Sequence, residues 1–389
     1  MKISFTQIYE RLKRFDRPAT PQKWLAILFA VSVIPLLLLT VFTLIVDPFM
    51  RYHVPYSWSV PQFSEEYFQI PGVLRQFDYD SVIVGSSMSQ NFRLNEFREK
   101  LGKNPVKATA RGLLPATGKL YINIAGESRG DKLQTVYWGV DILTFNADPD
   151  SHFQPLANYV YSNNHFLDVQ YWWNWTLFYD YYPAWLKPKF GGSKKTQERY
   201  AIRTDIDRMF CWDYKPEPFG MEAMAAENTK RPLNFAPMKP CALENFKYNV
   251  IETVRKYPDT EFIIFTAPYS VYFWSAMLDT GYLQSALDFR TMMIAELLSE
   301  PNVKVYDFAW QAEKITDADA FKDLTHFGSM HNSWMVDCMA EGKYRITELE
   351  QVEKNNGELQ KEAAEYLDSF RGNFDSPNKV DELVYSHRV

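Results

Sequence analysis

The sequence feature that most constrains the fold is a long apolar segment near the N-terminus. Residues 24–46, WLAILFAVSVIPLLLLTVFTLIV, have no charged side chain over 23 positions. At about 1.5 Å per residue, a helix of this length spans roughly 35 Å, which exceeds the ~30 Å hydrocarbon core of a bilayer. Pro35 is compatible with this assignment because membrane helices tolerate proline. We therefore predict a transmembrane helix over residues 24–46.

The charges before this segment indicate its orientation. Residues 1–23 contain six lysines or arginines and two acidic residues, a bias that favours a cytoplasmic N-terminus. A cleaved signal peptide is the rival interpretation, but the apolar run is long for one and no small-x-small cleavage site follows. No second run of this kind follows in the sequence. We expect a single-pass protein of the cell membrane, with its main domain outside the cytoplasm.

Composition excludes some classes of function. The 389 residues suffice for one large domain or two small ones. A net charge of −6 and a pI near 5.7 give no indication of nucleic-acid binding. The three cysteines include no C-x-x-C pair, which argues against a zinc or redox motif. Cys211 and Cys241 flank a loop-like region and are candidates for a disulfide.

After residue 78, short apolar runs alternate with helical patterns. Alternation of this kind predicts an α/β domain whose parallel sheet is covered by helices on both faces. The predicted strands are residues 81–85, 105–112, 135–143, 261–268 and 303–308. The predicted helices are residues 90–102, 117–130, 244–257 and 283–300.

The remaining segments complete the predicted organisation. The parts are a cytoplasmic segment 1–23, the transmembrane helix 24–46, a proline-rich linker 47–77, the extracytoplasmic domain 78–345 with an insertion 147–243, and a polar helical tail 346–389. The insertion contains YWWNWTLFYDYYPAWLKP and reads as a cap over the sheet edge. Its aromatic side chains either pack inside the cap or line a groove for a polymer containing sugar or glycerol phosphate.

Residues able to carry chemistry follow the ends of the predicted strands, where open α/β sheets bind ligands. Ser87 follows the first strand and is a weak nucleophile until a base takes its proton. His326 is the natural base, and Asp323 could orient its ring from three residues earlier. The backbone N–H groups of Ser87 and Gly112 could donate to an oxyanion.

Each of these residues also has a structural interpretation. Ser87 could cap the turn after the strand, and Asp323 could be a helix N-cap. Gly112 could be a turn glycine, with Gly126 as the alternative glycine, although Gly126 lies within a helical pattern. His331 provides an internal comparison for His326, because it is a nearby histidine without an acidic residue at the same spacing.

The order of these motifs resembles that of the SGNH hydrolase superfamily, which includes the GDSL lipases and esterases. Residues 85–88, Gly-Ser-Ser-Met, resemble the first family block, although Ser86 replaces the usual aspartate. Gly112 matches the glycine of the second block, and Asp323 with His326 matches the D-x-x-H of the last. The resemblance implies a flavodoxin-like three-layer sandwich with a central parallel sheet, and Ser87 as the nucleophile.

The third family block departs further from the pattern. The family has G-x-N after a strand, and the asparagine donates to the oxyanion, whereas residues 139–141 are Gly-Val-Asp. Asp141, as a carboxylate, has no proton to donate unless its pKa is strongly raised. Either the oxyanion site uses backbone donors, or Asp141 has another role. This residue favours the alternative function, a catalytically silent scaffold that binds a polymer or an acyltransferase.

The predicted membrane anchor narrows the resemblance. A retained N-terminal helix before an SGNH-like domain is similar to the proteins that accompany membrane-bound O-acyltransferases, such as the D-alanyl-lipoteichoic acid protein D and the alginate O-acetylation proteins. This similarity implies serine-dependent acyl transfer or ester hydrolysis on a cell-surface polymer, either teichoic acid or polysaccharide. The implied partner is a polytopic membrane-bound O-acyltransferase. Neither a metal nor a cofactor is required.

Overall fold

The computed structural model describes residues 20–213, 218–230 and 235–374. Most of the predicted cytoplasmic segment 1–23 and the end of the predicted tail lie outside these residues. Within them, six strands form one sheet in the order β2-β1-β3-β4-β5-β6. The strands are β1 Ser81–Gly85, β2 Pro105–Thr109, β3 Thr135–Val140, β4 Glu261–Thr266, β5 Val303–Asp307 and β6 Arg345–Ile346.

The sheet is parallel except at one edge. Strands β1 to β5 pair in parallel, in the order of doubly wound flavodoxin-like sheets, and β6 pairs antiparallel with β5. Every residue of β1 and β2 is buried, as expected for strands covered on both faces. The predicted α/β class with a mainly parallel sheet is therefore confirmed.

Helices fill the connections between the strands. The longer ones are α1 Pro21–Val46, α2 Glu66–Gln76, α3 Leu94–Leu101, α4 Pro115–Arg129, α7 Tyr182–Phe190, α8 Lys194–Arg203, α9 Met221–Lys230, α12 Val271–Asp279, α13 Leu283–Leu298, α15 Ser329–Glu341, α16 Leu349–Glu365 and α17 Leu367–Asn373. The short ones are α5 Asn158–Tyr161, α6 Val169–Trp172, α10 Ala242–Phe246, α11 Glu252–Lys256 and α14 Ala312–Ile315. Two π-helical turns, Leu177–Tyr181 and Lys247–Ile251, lead into α7 and α11.

Two predicted segments pack against the rest of the domain more closely than their sequences suggest. Residues 47–77, where the prolines predict an irregular linker, include α2, whose Ile70 and Leu74 are fully buried in the main core. In the predicted polar tail, α16 packs against α12 and α13 through a narrow apolar face that includes Val352 and Leu359. Charged residues surround these apolar positions in the sequence, so the buried face is inconspicuous.

The N-terminal helix α1 is a candidate membrane span. It has 26 residues and a mean hydropathy of 2.8 over its most apolar window, none of which is buried. A signal sequence would meet the same criteria of length and composition. Near its C-terminal end, Thr43 and Val46 are buried against the rest of the protein.

A second apolar core joins this end of α1 to the aromatic insertion. Val46 and Phe49 pack with Tyr171, Tyr182 and Trp185, separately from the core of the sheet. Part of the aromatic content of the insertion therefore stabilises its own packing, as one of the two sequence interpretations expects.

The structure contains no disulfide among the described residues, and Cys211, Cys241 and Cys338 are free thiols. The candidate Cys211–Cys241 disulfide is therefore wrong. Cys211 is buried, and its sulfur lies 3.2 Å from the Nζ atom of the buried Lys107. Cys241 is exposed at the start of α10. The sequence showed that both cysteines flank the same region, but it gave no sign of the contact between Cys211 and Lys107.

A buried ion pair connects the last part of the sheet to two helices. Arg290 of α13 donates from Nη2 to both carboxylate oxygens of Asp307, at 3.0 Å, and the two side chains are 1% and 0% exposed. Thr266 and Asn355 also donate to this carboxylate, from β4 and α16. Burial alone would raise the pKa of Asp307, but the Arg290 charge and these hydrogen bonds lower it.

This pair gives a prediction about stability. Replacing Arg290 (Arg290→Met) leaves a buried carboxylate without its counter-charge, and we expect a loss of about 3–5 kcal/mol in the free energy of unfolding. The matched control is Arg98→Met, because Arg98 forms an ion pair with Asp207 in which both side chains are more than a third exposed. The control should cost less than about 1 kcal/mol.

Denaturant unfolding followed by tryptophan fluorescence measures both variants. Equal losses would show that the buried pair contributes no more than an exposed one.

Candidate active site

The end of β1 places Ser87 at the carboxyl edge of the sheet. After Gly85 the chain enters a 3₁₀ turn, Ser87–Ser89, and the Ser86 side chain caps that turn by accepting from the Met88 N–H at 3.3 Å. The capping role that the sequence suggested for Ser87 therefore falls to Ser86. The Ser87 side chain is left available for other contacts.

Close packing below this turn explains the small residues at the strand ends. The Ser89 Oγ atom lies so near β1 and β3 that a Cβ added to Gly85 or Gly139 would come within 2.3 and 2.5 Å of it. Real side chains do not tolerate such contacts, so any larger residue would displace the turn that carries Ser87. The glycines thus set the position of the serine through packing.

Ser87, His326 and Asp323 form one hydrogen-bonded series. The Ser87 Oγ atom lies 2.7 Å from His326 Nε2, and His326 Nδ1 lies 2.8 Å from Asp323 Oδ2. Because an ionised carboxylate only accepts, Nδ1 carries the proton, and Nε2 is then free to accept from the serine hydroxyl. The backbone N–H of His326 also donates to Asp323, at 2.7 Å. The structure therefore brings together the three residues that the sequence singled out.

The electrostatics of Asp323 suit an orienting carboxylate. Burial alone would raise its pKa, but hydrogen bonds from the side chain and backbone of His326 and from the Thr325 N–H, with the imidazolium charge, lower it to about 2. Asp323 is consequently ionised at neutral pH. An ionised group at this position holds the imidazole ring by Nδ1 and stabilises the ring when it takes up a second proton.

His331 has a different environment. Its ring is buried against Phe321, Phe327 and Trp334, and Nε2 lies 3.1 Å from the carbonyl oxygen of Lys314. Burial lowers the pKa of His331 to about 4, so the ring is neutral at physiological pH. It does not line the cleft that contains His326, and its role is one of packing.

The three residues open onto a cleft of about 700 Å³. Aromatic side chains, Tyr67, Phe68, Phe153 and Trp212, form part of its wall. Charged side chains, Glu65, Glu66, Arg111 and Lys322, also line it. A cleft with both kinds of lining can hold an apolar group and a polar acceptor at once.

Trp212 supports both Ser87 and His326. Its indole N–H donates to the Ser87 carbonyl oxygen at 2.9 Å, and its ring meets that of His326 edge to face, with 5.9 Å between centroids. The buried Asn91 fixes the Trp212 backbone by accepting from its N–H at 3.2 Å. Trp212 lies in the predicted aromatic insertion, but no motif distinguished it from the other tryptophans there.

Gly112 forms part of the cleft wall next to Phe153. Its φ of +63° is in the left-handed region, and a Cβ at this position would lie 2.5 Å from the Phe153 ring. The position therefore needs glycine for its backbone and for the close approach of the ring. Gly126, the alternative in the sequence, lies within α4 beside Tyr257 and does not line the cleft.

Asp141 accepts hydrogen bonds and is not among the residues that line the cleft. The Tyr269 hydroxyl donates to Asp141 Oδ1 at 2.6 Å, and the Ser86 side chain also bonds to this carboxylate. Burial raises the pKa of Asp141, while the two hydroxyls and the His326 charge act in the opposite direction. Tyr269 follows β4, far along the chain, so the sequence gave no sign of this contact.

Comparisons with known proteins add little. No family model matches the sequence, and no curated protein matches it. A solved structure of a Streptococcus pneumonia protein, described provisionally as a platelet activating factor, is similar with a TM-score of 0.35 and 9% sequence identity. The alignment covers 72% of this chain and 90% of that one.

Gly112 and Gly102 form a matched pair for a test of the cleft wall. Both have a φ of +63°, but nothing lies within 4 Å of a Cβ added to Gly102. We expect Gly102→Ala to lower the free energy of unfolding by about 1–2 kcal/mol, the cost of a left-handed alanine. Gly112→Ala should cost more, because the alanine methyl also collides with Phe153.

The double variant Gly112→Ala/Phe153→Ala separates the two contributions. Denaturant unfolding compares the double variant with the single variant Phe153→Ala. The difference in the free energy of unfolding between these two should equal the loss that Gly102→Ala causes in the wild-type protein. An undiminished loss would show that the Phe153 ring does not restrict this position.

Proposed function

We propose that this protein is a membrane-anchored serine enzyme that transfers or hydrolyses acyl esters of a cell-surface polymer. The observation that carries the proposal is the series Ser87–His326–Asp323, with separations of 2.7 and 2.8 Å, at the wall of a cleft. A serine hydroxyl bonded to an imidazole, which is itself held by an ionised carboxylate, is the arrangement that activates serine for attack on a carbonyl.

The first half of the reaction forms an acyl-enzyme. The Ser87 Oγ atom attacks the carbonyl carbon of an acyl ester while its proton moves to His326 Nε2. The resulting tetrahedral intermediate collapses when the bond to the leaving alkoxide breaks, and His326 returns the proton to that oxygen. Asp323 keeps the ring in the required tautomer and stabilises its transient positive charge.

Backbone N–H groups are the proposed donors to the oxyanion. The N–H of Ser87, at the start of the 3₁₀ turn, and that of Gly112 in the cleft wall are the candidates. Asp141, at the position of the family asparagine, already accepts from Tyr269 and Ser86, so we do not count it among the oxyanion donors. We assign Asp141 the role of positioning Ser86, the cap of the turn that carries Ser87.

The second half of the reaction releases the acyl group. A hydroxyl of the acceptor, or water, attacks the acyl carbon, with His326 now taking the proton of the incoming oxygen. The Ser87–acyl bond breaks, and the proton returns to Ser87. An acceptor hydroxyl gives acyl transfer, while water gives ester hydrolysis.

The proposed location follows from α1 and from the charges before it. A retained span with a cytoplasmic N-terminus would place the catalytic domain outside the cell membrane. One helix cannot carry an acyl donor across the bilayer, so we propose a polytopic membrane-bound O-acyltransferase as the partner that supplies it. The proposed acceptor is teichoic acid or a polysaccharide.

A fluorophosphonate probe tests the nucleophile. An activated Ser87 displaces fluoride from phosphorus and keeps the phosphonyl group, which peptide mass spectrometry locates. We expect labelling of the full-length protein at Ser87, complete loss in Ser87→Ala and a large loss in His326→Gln. The control His165→Gln should label normally, because the His165 side chain is exposed, bonds to Asp168 and is not among the residues that line the cleft.

Absence of labelling in a folded protein would contradict the enzyme proposal. The catalytically silent scaffold, which the acidic Asp141 favours, would then be the better interpretation.

Ester content of the cell envelope tests the physiological reaction. In cells carrying Ser87→Ala in place of the wild-type protein, we expect acyl esters on the surface polymer to fall to the level of a deletion strain. Membrane fractionation must show normal amounts of the variant. A rise in ester content would identify an esterase, and an effect of deletion without an effect of Ser87→Ala would contradict catalysis by Ser87.

A further inference from the structure

An exposed group of aromatic side chains lies on the insertion, beside α1. We call Trp173, Trp175, Phe178 and Tyr179 the aromatic patch. Their exposed fractions are 46%, 71%, 45% and 59%. A contiguous exposed patch of large aromatic side chains commonly marks a surface that binds a membrane, a ligand or another protein.

Hydrogen bonds connect the insertion to the apolar helix. The Trp173 indole N–H donates to Thr40 Oγ1 at 3.0 Å, and the Tyr182 hydroxyl donates to Thr43 Oγ1 at 2.9 Å. Thr40 and Thr43 both lie in α1. The insertion is therefore attached to the side of the candidate span itself.

Ring contacts extend this attachment across the aromatic patch. Phe42 of α1 meets Tyr182 with 4.9 Å between ring centroids, and Tyr182 meets Phe178 at 6.4 Å. Phe178 is 6.5 Å from Tyr179, which is 4.3 Å from Trp175. An unbroken series of aromatic contacts thus runs from the apolar helix to the most exposed ring of the patch.

The contact with Thr40 indicates the depth of the aromatic patch. Thr40 lies six residues before Val46, the last residue of α1, which is about 9 Å along the helix axis. The apolar run of roughly 35 Å is only a few Å longer than the ~30 Å hydrocarbon core. Even if the whole excess lies beyond this end, Thr40 is about 4 Å inside the hydrocarbon core when α1 spans a bilayer. A side chain bonded to Thr40 therefore reaches the outermost part of the hydrocarbon, next to the headgroups.

The connection between α1 and the domain fixes the orientation of the aromatic patch. Asp47 ends the helix in the left-handed conformation, and its carboxylate accepts from the backbone N–H groups of residues 51, 52 and 53 and from the Tyr171 hydroxyl. Arg51 forms a buried ion pair with Asp168 at 2.9 Å. A helix end held by so many contacts is not a flexible tether.

We propose that the aromatic patch lies in the interfacial region of the same bilayer that α1 spans, so that the insertion is a second contact between the domain and the membrane. Tryptophan and tyrosine favour this region because an apolar ring and a polar N–H or O–H are both accommodated there. The partner is the lipid bilayer. The inference rests on α1 being retained as a span, and it is independent of the chemistry of Ser87.

Fluorescent labels at three positions test the proposal in the full-length protein. A nitrobenzoxadiazole group is attached to Trp175→Cys and to Leu38→Cys, each combined with Cys241→Ser, and to the native Cys241. The two other cysteines, Cys211 and Cys338, are buried. The variants are reconstituted in vesicles of phosphatidylcholine and phosphatidylglycerol that contain lipids with nitroxide groups at known depths.

Leu38 is the positive control because it is an exposed residue of α1. Cys241 is the control that we expect to face water, because it is exposed at the start of α10, which packs against α13. We expect strong quenching at position 38 by nitroxides deep in the acyl chains. At position 175 we expect several-fold more quenching than at Cys241, strongest with nitroxides near the headgroups.

Two results would overturn the proposal. Quenching at position 38 without quenching at position 175 would show that α1 spans the bilayer while the aromatic patch faces water. No quenching at either position would show that α1 is not a span. Fluorophosphonate labelling of the same samples reports on Ser87 alone. A failure of the membrane proposal can therefore be distinguished from a failure of the proposed acyl chemistry.

Discussion

The buried pair of Arg290 and Asp307 is the interaction on which the carboxyl edge of the sheet, where the cleft lies, depends. It holds the carboxyl end of β5 to α13, and the Thr266 hydroxyl extends it to the end of β4. The chain that leaves β4 reaches Ser270, whose hydroxyl donates to the Leu324 carbonyl at 2.8 Å. Leu324 follows Asp323 in the loop that presents His326. The loop that carries Asp323 and His326 is thus connected through β4 to a charge pair that does not itself line the cleft.

Two aspartates near the cleft have pKa values shifted in opposite directions by their surroundings, and this suits them to different roles. Asp323 is partly buried, but donors from a single turn surround it, and its pKa falls to about 2. At Asp141 burial outweighs the hydrogen bonds of two hydroxyls, and the pKa rises. The first aspartate can therefore carry a stable negative charge beside His326. The second is suited to holding Ser86 and the turn above it.

The sequence revealed the parts of this site that local pattern encodes. Strands, their approximate ends and the residues just beyond them follow from short apolar runs, and parallel strands bring such residues to one edge. Trp212, Tyr269 and the Arg290 pair were not predictable, because each acts through partners far away in the chain. The helical tail was predicted, but the burial of α16 was not, because its apolar face is narrow within a strongly charged sequence. The contact of Cys211 with Lys107 likewise has no local signature.

The Asp47 cap and the Arg51–Asp168 ion pair make the connection between α1 and the domain rigid. If α1 is a span, the mouth of the cleft is held at a constant height above the lipid surface. Under the proposed function, the site would then reach only those ester groups that come to this height. Movement of the proposed polymer, and not movement of the protein, would bring new groups to the cleft.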